Sequence, residues 1–295
     1  MKMHDDEVHT DVPLVRRLLA VQFPEWAALP IERVASSGTD NALYRLGNEM
    51  VVRLPRIHWA VGGVDKDFRW LPVVAPLLPV AIPVPLAKGR PAEGYPWTWG
   101  IYPWLEGQNP TSRRIADVDS ITREVVRFVE ALHRIDLAGG PPARRGAPLA
   151  VQDEEARAAL VALRGMVDTD AATAAWEVAL RTPAWSGPPV WIHGDLLPGN
   201  LLFQGGRLTG VIDWGGLGVG DPACDMLVAW GLLPAEARNV FRAELDVDDA
   251  TWARGRGWAL SVGLIALPYY KNTNPVLAAT ARHLIREVLA DHQRS

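Results

Sequence analysis

The fold of this 295-residue chain is decided by WIHGDLLPGN at residues 191–200 together with VIDW at residues 211–214. The first stretch begins as a short apolar strand and continues as a polar loop that carries Asp195 and Asn200. A turn and a second short strand then lead to Asp213. A single His-x-Asp tripeptide occurs often by chance. The full spacing, with Asn five residues after Asp195 and Asp213 thirteen residues after Asn200, is far more specific.

These residue types suit phosphoryl transfer. That reaction needs a carboxylate that accepts the proton of the attacking hydroxyl, and oxygen ligands that hold Mg²⁺ on the nucleotide phosphates. Mg²⁺ is a hard cation that binds oxygen atoms of carboxylates, amides and phosphates. We therefore expect Asp195 to be the catalytic base, with Asn200 and Asp213 as the metal ligands. The alternative is that Asp195 and Asp213 are merely turn and cap residues.

The layout matches the protein-kinase catalytic loop, with His-Gly-Asp in place of His-Arg-Asp and Ile-Asp-Trp in place of Asp-Phe-Gly. More closely, the chain resembles the aminoglycoside phosphotransferase family of kinase-like small-molecule phosphotransferases. Two blocks carry this resemblance, and weaker similarity extends over residues 10–290. The matching residues are His193, Gly194, Asp195 and Asn200 in the first block, and Ile212, Asp213, Trp214, Gly220, Asp221, Pro222 and Asp225 in the second.

The resemblance implies an α+β fold of the bilobal protein-kinase type. Residues 1–105 would form a β-rich N-lobe that covers the nucleotide. Residues 106–295 would form a mainly helical C-lobe with the catalytic loop and the acceptor site. The implied reaction is transfer of the γ-phosphate of ATP or GTP to a hydroxyl group of a small molecule.

Apolar periodicity and turn residues agree with this outline. We predict a small sheet with one or two helices in the N-terminal third. The second helix should extend at least to Pro72. The remainder is mostly helical. Predicted helices cover residues 10–23, 63–78, 120–135, 153–180 and 223–231; predicted strands cover 31–36, 42–46, 49–54, 84–88, 97–104, 190–192, 201–203 and 208–212.

In kinases a cationic side chain on a strand binds the α- and β-phosphates, and a carboxylate side chain on a helix holds that cation in place. The strand at residues 50–54 carries Arg53 where the family commonly has Lys, and Arg can bind phosphate as a planar fork. The resemblance makes Asp67 the partner of Arg53, in a position usually held by Glu. The alternative is that both are unconnected surface residues.

Two further segments are expected at the nucleotide. Ser37, Gly38 and Asn41 lie in a small polar loop between two strands, where backbone amides can approach phosphates. By resemblance, the backbone of residues 101–105, with Tyr102 and Trp104, would bind the purine base. Backbone contacts leave no side-chain pattern, so the sequence does not distinguish ATP from GTP.

Supporting roles are expected for His193, Asp221 and Asp225. Asp221 precedes Pro222 and reads as a helix N-cap followed by Pro at the first helical position. A direct catalytic role for Asp221 is the alternative. Asp225, one turn later, could face the cleft or favour the positive end of the helix.

Composition excludes several classes of protein. A net charge of −4 gives no basic surface for nucleic acid, and the single cysteine rules out an internal disulfide. The longest apolar run, residues 71–87, is interrupted by five prolines and cannot span a membrane. The N-terminal residues do not resemble a signal peptide. We expect a cytoplasmic enzyme without nucleic-acid or membrane partners; the sequence does not indicate the oligomeric state.

The acceptor is harder to predict. Acidic residues in 151–180 and 244–249 could bind a polycationic acceptor, or simply be solvated. Three of the 13 tryptophans, Trp230, Trp252 and Trp258, could line an acceptor pocket or belong to the core. We expect an aminoglycoside or macrolide-type antibiotic, and hence a role in resistance. The alternatives are a metabolic kinase for a sugar, choline or amino-alcohol, and a nucleotide-binding pseudokinase.

Overall fold

The computed structural model describes residues 6–36, 38–110 and 117–294. The chain forms two compact units. The first unit contains residues 1–107 and 210–215, and the second contains residues 108–209 and 216–295. The segment 210–215, which carries Asp213, thus belongs to the first unit, whereas the sequence-based division assigned it to the C-lobe.

The first unit is built on a five-stranded antiparallel sheet in the order β1-β2-β3-β5-β4. Helix α1 precedes the sheet, and helix α2 lies between β3 and β4 in the chain. The elements are α1 (Val12–Gln22), β1 (Ile31–Arg33), β2 (Asn41–Leu46), β3 (Met50–Pro55), α2 (Gly63–Val74), β4 (Ala87–Gly89) and β5 (Trp99–Pro103).

The core of the first unit follows from strand alternation. On β3, Val52 and Leu54 are fully buried, while the intervening Arg53 projects from the opposite face. The buried side chains of Leu18 and Leu19 on α1 join the same apolar cluster. The register of the sheet places Tyr102 of β5 opposite Val51 of β3.

Two expectations for this unit need correction. Helix α2 passes through Pro72, as expected, since Leu71 and Val74 on its inner face are fully buried while Pro72 is exposed, but it ends at Val74 and not at residue 78. Packing of that face outweighs the cost of proline in the helix. Strand β4 begins at Ala87 and not at residue 84, since Pro85 cannot donate a ladder hydrogen bond.

The second unit is mainly helical. Two small strand pairs accompany the helices: β6 pairs with β9, and β7 pairs with β8. The last two residues of β8 belong to the first unit. The elements are α3 (Val118–His133), α4 (Asp153–Ala162), α5 (Thr169–Arg181), β6 (Val190–Ile192), β7 (Leu201–Gln204), β8 (Arg207–Val211), β9 (Gly218–Gly220), α6 (Val228–Gly231), α7 (Ala235–Glu244), α8 (Asp249–Tyr270) and α9 (Pro275–His292).

The predicted helix over residues 153–180 is wrong as a single element. It is divided into α4 and α5 by a turn in which Gly165 has φ 76°, a conformation that favours glycine. The predicted helix over residues 223–231 also differs, because Pro222–Leu227 forms a 3₁₀ helix before the short α6.

Helix α8 is the centre of the second unit. It packs against α4, α5 and α9, and its buried residues occupy nearly all sides of the helix. Among the residues that the structure describes, no helix combines the length and apolar character needed to cross a membrane.

Candidate active site

The predicted pair of Arg53 and Asp67 forms within the first unit. Arg53 Nη1 on β3 donates to Asp67 Oδ2 on α2 at 2.7 Å. The Asp67 side chain is fully buried and that of Arg53 is 13% exposed, so this is not a pair of unconnected surface residues. A buried ion pair of this kind fixes the direction of the guanidinium group.

Tyr102 completes this cluster. Its hydroxyl donates to Asp67 Oδ2 at 3.0 Å. The ring lies against Gly100, where an added Cβ would come within 2.6 Å of Tyr102 Cε2. Glycine at position 100 therefore allows the tyrosine to reach Asp67. Sequence reasoning expected only the backbone of Tyr102 to be functional, and the structure gives its side chain a role in holding the pair.

Burial and the charged neighbours have opposite effects on the pKa of Arg53, and likewise on the pKa of Asp67. Burial alone would lower the pKa of Arg53, but neighbouring Asp67 leaves it above its ordinary value, so the guanidinium stays charged. Burial raises the pKa of Asp67 above its ordinary value, and Arg53 and Tyr102 offset this only in part. In the described chain, Asp67 Oδ1 is buried and has no hydrogen-bond partner.

Asp213 lies in the same unit, close enough to raise the pKa of Arg53 electrostatically. Its backbone has φ 61°, a left-handed conformation that Asp tolerates better than most residues. Lys66, adjacent to Asp67 on α2, donates from Nζ to the carbonyl oxygen of Gly215. Burial lowers the pKa of Lys66, while Asp67 and Asp213 oppose that change.

Sequence reasoning missed Lys66. The one available signal was its position beside Asp67 on a predicted helix. Its contact with Gly215 spans 149 residues of the chain, which no local pattern reveals. The first unit thus brings together two cations, Arg53 and Lys66, with two carboxylates, Asp67 and Asp213.

The predicted phosphate-covering loop lies between β1 and β2, as expected. Gly38 N donates to Ser36 Oγ at 3.0 Å, and Asn41 is the first residue of β2. Asn41 Oδ1 is buried and, within the described ranges, has no hydrogen-bond partner. Ser37 lies outside the described residues. A role of this loop at phosphate stays a prediction.

The segment expected to bind the purine base is partly occupied by internal contacts. The backbone amide of Trp104 donates to Glu49 O at 2.7 Å, so that amide is committed to the sheet. The indole ring of Trp104 lies under Arg45, with the guanidinium carbon 4.1 Å from the ring centroid. The predicted base contact of this segment therefore falls on its remaining backbone groups.

In the second unit, Asp225 holds the backbone of the catalytic loop. Its Oδ2 accepts from His193 N at 3.0 Å, and its Oδ1 accepts from Gly194 N at 2.9 Å. His133 Nε2 lies 3.2 Å from Asp225 Oδ2. Asp225 and His193 are fully buried. The side chain of Asp225 thus supports the loop by binding the loop's backbone amides, and it does not face a cleft.

His193 and Gly194 shape the approach to Asp195. His193 Nδ1 accepts from the backbone amide of Asp195 at 3.2 Å, which fixes the orientation of the imidazole ring. Gly194 has φ 78°, and an added Cβ would lie 2.7 Å from Gly216 O. No other residue fits position 194 without strain or displacement of the neighbouring backbone.

The Asp195 carboxylate is held at both oxygens. Asn200 Nδ2 donates to Asp195 O at 2.8 Å and to Oδ2 at 3.2 Å. Arg145 Nη1 donates to Asp195 Oδ1 and, at 3.0 Å, to Gly194 O. The Asp195 side chain is 27% exposed, so it is both fixed and accessible. Sequence reasoning missed Arg145, which is 50 residues away in the chain.

The contacts of Asp221 indicate that it stabilises the fold. Its Oδ1 accepts from Ala223 N at 2.9 Å, as an N-cap does. Its carboxylate also pairs with Arg254, from Nε to Oδ2 at 2.6 Å, and both side chains are 4% exposed. Arg254 was another residue that the sequence did not reveal. This geometry favours the capping role over direct catalysis.

The donor atoms of the predicted metal ligands suit Mg²⁺. The amide nitrogen of Asn200 donates two hydrogen bonds to Asp195, so the amide oxygen is the atom that would coordinate a metal ion. Asp213 offers carboxylate oxygens. Amide and carboxylate oxygens are both hard ligands of the kind that Mg²⁺ binds. Asn200 belongs to the second unit and Asp213 to the first.

The expected acceptor features receive little support. Trp230 and Trp258 are fully buried, and Trp252 packs on Trp230 at a centroid distance of 4.6 Å. Trp230 and Trp258 therefore belong to the core, and Trp252 is half-buried. Three of the six acids of residues 151–180 are paired, since Arg157 bridges Asp153 and Glu177 and Arg144 pairs with Glu155.

A cavity of about 260 Å³ in the second unit is lined by the carboxylates Glu130, Asp246 and Asp248 and by Trp185. Asp195 is not among the residues that line it, so the cavity does not locate the acceptor.

Comparison with known proteins establishes the family. The sequence model of the phosphotransferase enzyme family matches residues 32–258, which is more than half of the chain. The chain belongs to the phosphotransferase enzyme family. This assignment confirms the resemblance inferred from the two sequence blocks.

Two curated relatives match this phosphotransferase family member over part of its length. The aminoglycoside 3'-phosphotransferase of Streptomyces fradiae is 31% identical over 160 residues, covering 48% of this chain and 50% of the relative. The uncharacterized protein YcbJ of Bacillus subtilis (strain 168) is 30% identical over 159 residues, covering 51% and 48%. The chain thus spans about half the length of the curated relatives it matches.

Solved structures show the same fold. The GDP and kanamycin complex of APH(2")-IIia superposes with a TM-score of 0.73 at 19% identity, covering 94% of this chain and 98% of that one. The macrolide 2'-phosphotransferase MphH of Brachybacterium faecium gives a TM-score of 0.61 at 22% identity, covering 93% and 97%. The predicted α+β, kinase-like fold class is confirmed.

Proposed function

We propose that this family member is an O-phosphotransferase that moves the γ-phosphoryl group of ATP or GTP to a hydroxyl group of a small molecule. The observation that carries the proposal is the Asp195 carboxylate, held at both oxygens and still 27% exposed. A fixed, accessible carboxylate is what a general base for a hydroxyl requires.

In the proposed reaction, Asp195 accepts the proton of the acceptor hydroxyl. The acceptor oxygen forms a bond to the γ-phosphorus as the bond from that phosphorus to the bridging oxygen breaks. The nucleoside diphosphate leaves with the electrons of the broken bond, and Asp195 carries the proton. Positioning and charge stabilisation supply most of the rate in reactions of this kind.

The nucleotide contacts are proposed for the first unit. Arg53, fixed by Asp67 and Tyr102, would bind phosphate oxygens, and the loop with Gly38 and Asn41 would cover them. Asn200 and Asp213 would hold Mg²⁺. When bound, Mg²⁺ neutralises negative charge on the phosphates. Support for a nucleotide comes from the relatives, whose solved structures include GDP and ADP complexes.

For the acceptor we propose an aminoglycoside or macrolide-type antibiotic, because relatives with these names share the fold or part of the sequence. The paired acids and the buried tryptophans add no independent support. A sugar, choline or amino-alcohol remains the second candidate.

The test is a phosphate-transfer assay with the purified protein. Mg-ATP and Mg-GTP are each combined with a panel of aminoglycosides, macrolides, sugars, choline and amino-alcohols, with Asp195→Asn as the control. Transfer to an antibiotic that disappears in Asp195→Asn supports the proposal. Transfer confined to a metabolite overturns the antibiotic assignment. Tight nucleotide binding with no transfer to any acceptor, or to water, favours a pseudokinase.

A further inference from the structure

We propose that Arg145 is a positioning residue for the catalytic base, acting by fixing both the carboxylate and the main chain of the loop that carries Asp195. This inference rests on the proposed function, since it assumes that Asp195 is the base. Arg145 belongs to neither of the two sequence blocks that identify the family.

The contacts of Arg145 involve two consecutive residues of the loop. Its Nη1 donates to the carbonyl oxygen of Gly194 at 3.0 Å and to Asp195 Oδ1. Asn200 Nδ2 holds the other oxygen, Oδ2, at 3.2 Å. A carboxylate bonded at both oxygens cannot rotate freely about its terminal torsion, so the acceptor hydroxyl meets one orientation of the base.

The segment that carries Arg145 is itself fixed to the strand beside the loop. Ala143 N donates to Val219 O at 3.0 Å, and Val219 N donates to Pro141 O at 2.8 Å. Asp221 N donates to Gly146 O at 3.0 Å. Because β9 pairs with β6, and β6 leads directly into the catalytic loop, Arg145 and Asp195 are anchored to one small sheet.

Two glycines permit this close packing. An added Cβ at Gly220 would lie 2.4 Å from Gly146 Cα, and one at Gly146 would lie 2.8 Å from Gly220 Cα. Side chains at these positions would push the segment and the strand apart. The backbone around Arg145 is therefore built to hold its guanidinium at one place.

Two other interpretations of the contact make different predictions. Arg145 and Asp195 are 33% and 27% exposed, and an ordinary surface ion pair of that exposure contributes little to stability or activity. An inhibitory contact would withhold the carboxylate from the acceptor, and its removal would raise the rate. The positioning role requires that removal lowers the rate of transfer without weakening nucleotide binding.

The matched control lies next to Arg145 in the chain. Arg144 pairs with Glu155 on the surface, with exposures of 79% and 51%. Arg144→Ala removes the same kind of side chain from the same 3₁₀ turn without touching the loop. Thermal unfolding of both variants shows whether either substitution disturbs the fold.

The experiment measures kcat and KM for wild type, Arg145→Ala, Arg145→Lys, Arg144→Ala and Asp195→Asn. Transfer to an acceptor from the panel is followed, together with Mg-ATP and Mg-GTP hydrolysis, in which water is the acceptor. We expect a 10–100-fold lower kcat in Arg145→Ala, because small misplacement of a catalytic group costs about that much. The KM for the nucleotide should change less than about twofold, because a residue that acts on the geometry of the reaction affects kcat and not substrate binding.

Rescue distinguishes positioning from mere folding. Arg145→Lys should recover part of the rate, since an ammonium group can bind one carboxylate oxygen but lacks the planar fork. Millimolar methylguanidinium should raise the kcat of Arg145→Ala and leave that of Arg144→Ala unchanged.

Each outcome has one interpretation. If wild type transfers phosphate, Asp195→Asn does not, and Arg145→Ala equals or exceeds wild type, the proposed function stands and the role of Arg145 is overturned. Failure of wild type in both transfer and hydrolysis overturns the function, and the role of Arg145 with it.

Discussion

Asp225 Oδ1 accepts a hydrogen bond from the backbone amide of Gly194 at 2.9 Å, across 31 residues of the chain. Its second oxygen accepts from the amide of His193. One buried carboxylate thus satisfies two buried amides of the loop that presents Asp195. The loop conformation depends on a side chain that lies outside the loop.

Replacement of Asp225 by Asn should destabilise the protein by about 1–3 kcal/mol, because the amide group has one acceptor oxygen and leaves a buried N–H unsatisfied. Transfer activity should fall as the loop loosens. Urea unfolding and steady-state kinetics measure the two effects. Asp136→Asn, an exposed acid of the same unit, is the control and should match wild type. Equal stability of the Asp225 and Asp136 variants would contradict the assigned role.

Loss of the buried acid in the first unit should weaken nucleotide binding. Asp67→Ala leaves Arg53 without its partner, and breaking a buried ion pair costs about 3–5 kcal/mol of stability. We expect a weaker affinity for Mg-ATP or Mg-GTP, measured by calorimetry. The control is Asp65→Ala on the same helix, whose pair with Lys88 is 57% and 44% exposed and contributes at most about 1 kcal/mol. Unchanged nucleotide affinity in Asp67→Ala would refute the phosphate-binding role of Arg53.

The N-cap of α8 should make a pH-dependent contribution to stability. Asp248 accepts from Thr251 N at 2.6 Å, and this backbone hydrogen bond lowers the pKa of Asp248 below its ordinary value of 3.8. A depressed carboxyl pKa stabilises the fold above the ordinary value and loses that effect as the pH falls through the folded-state pKa. Asp248→Ala should cost about 1 kcal/mol at pH 7.

That difference between wild type and Asp248→Ala should shrink steadily below pH 3.8, where the wild-type carboxyl takes up its proton. Urea titrations of both proteins between pH 7 and pH 3 test this. Asp248→Asn, which preserves a capping oxygen, should stay close to wild type at pH 7. A difference that grows on acidification would contradict the prediction.

Cys224 should be unreactive in the folded protein. Its side chain is fully buried, and burial raises the pKa of the thiol well above its ordinary value, so the nucleophilic thiolate is scarce. A chromogenic disulfide reagent at pH 8 should modify it only after denaturant is added. Rapid labelling of the native protein at the rate of a free thiol would show that the region around Cys224 opens readily.

The sequence by itself determined which candidate site residues lie close together in the chain. His193, Asp195, Asn200 and Asp213 fall within 21 residues, and their spacing predicted both the chemistry and the family that the comparisons established. The strands beside them were predicted because short apolar runs between turn residues define such elements.

Sequence patterns did not predict features that depend on which side chains are buried in the folded protein. Trp230 and Trp258 have the same helical spacing whether they line a pocket or fill a core, and the structure buries both completely. The pattern also predicted a helix up to residue 78, whereas α2 ends at Val74. Periodicity describes one element at a time and does not say what packs against it.

Only the tertiary structure decided which distant charges meet. Arg145 reaches Asp195 across 50 residues, His133 reaches Asp225 across 92, and Lys66 reaches Gly215 across 149. Local sequence specifies which groups can react, because chemistry belongs to residue types and their spacing. The partners that hold those groups in place are set by chain folding, which brings remote segments together to bury apolar surface and satisfy buried polar atoms.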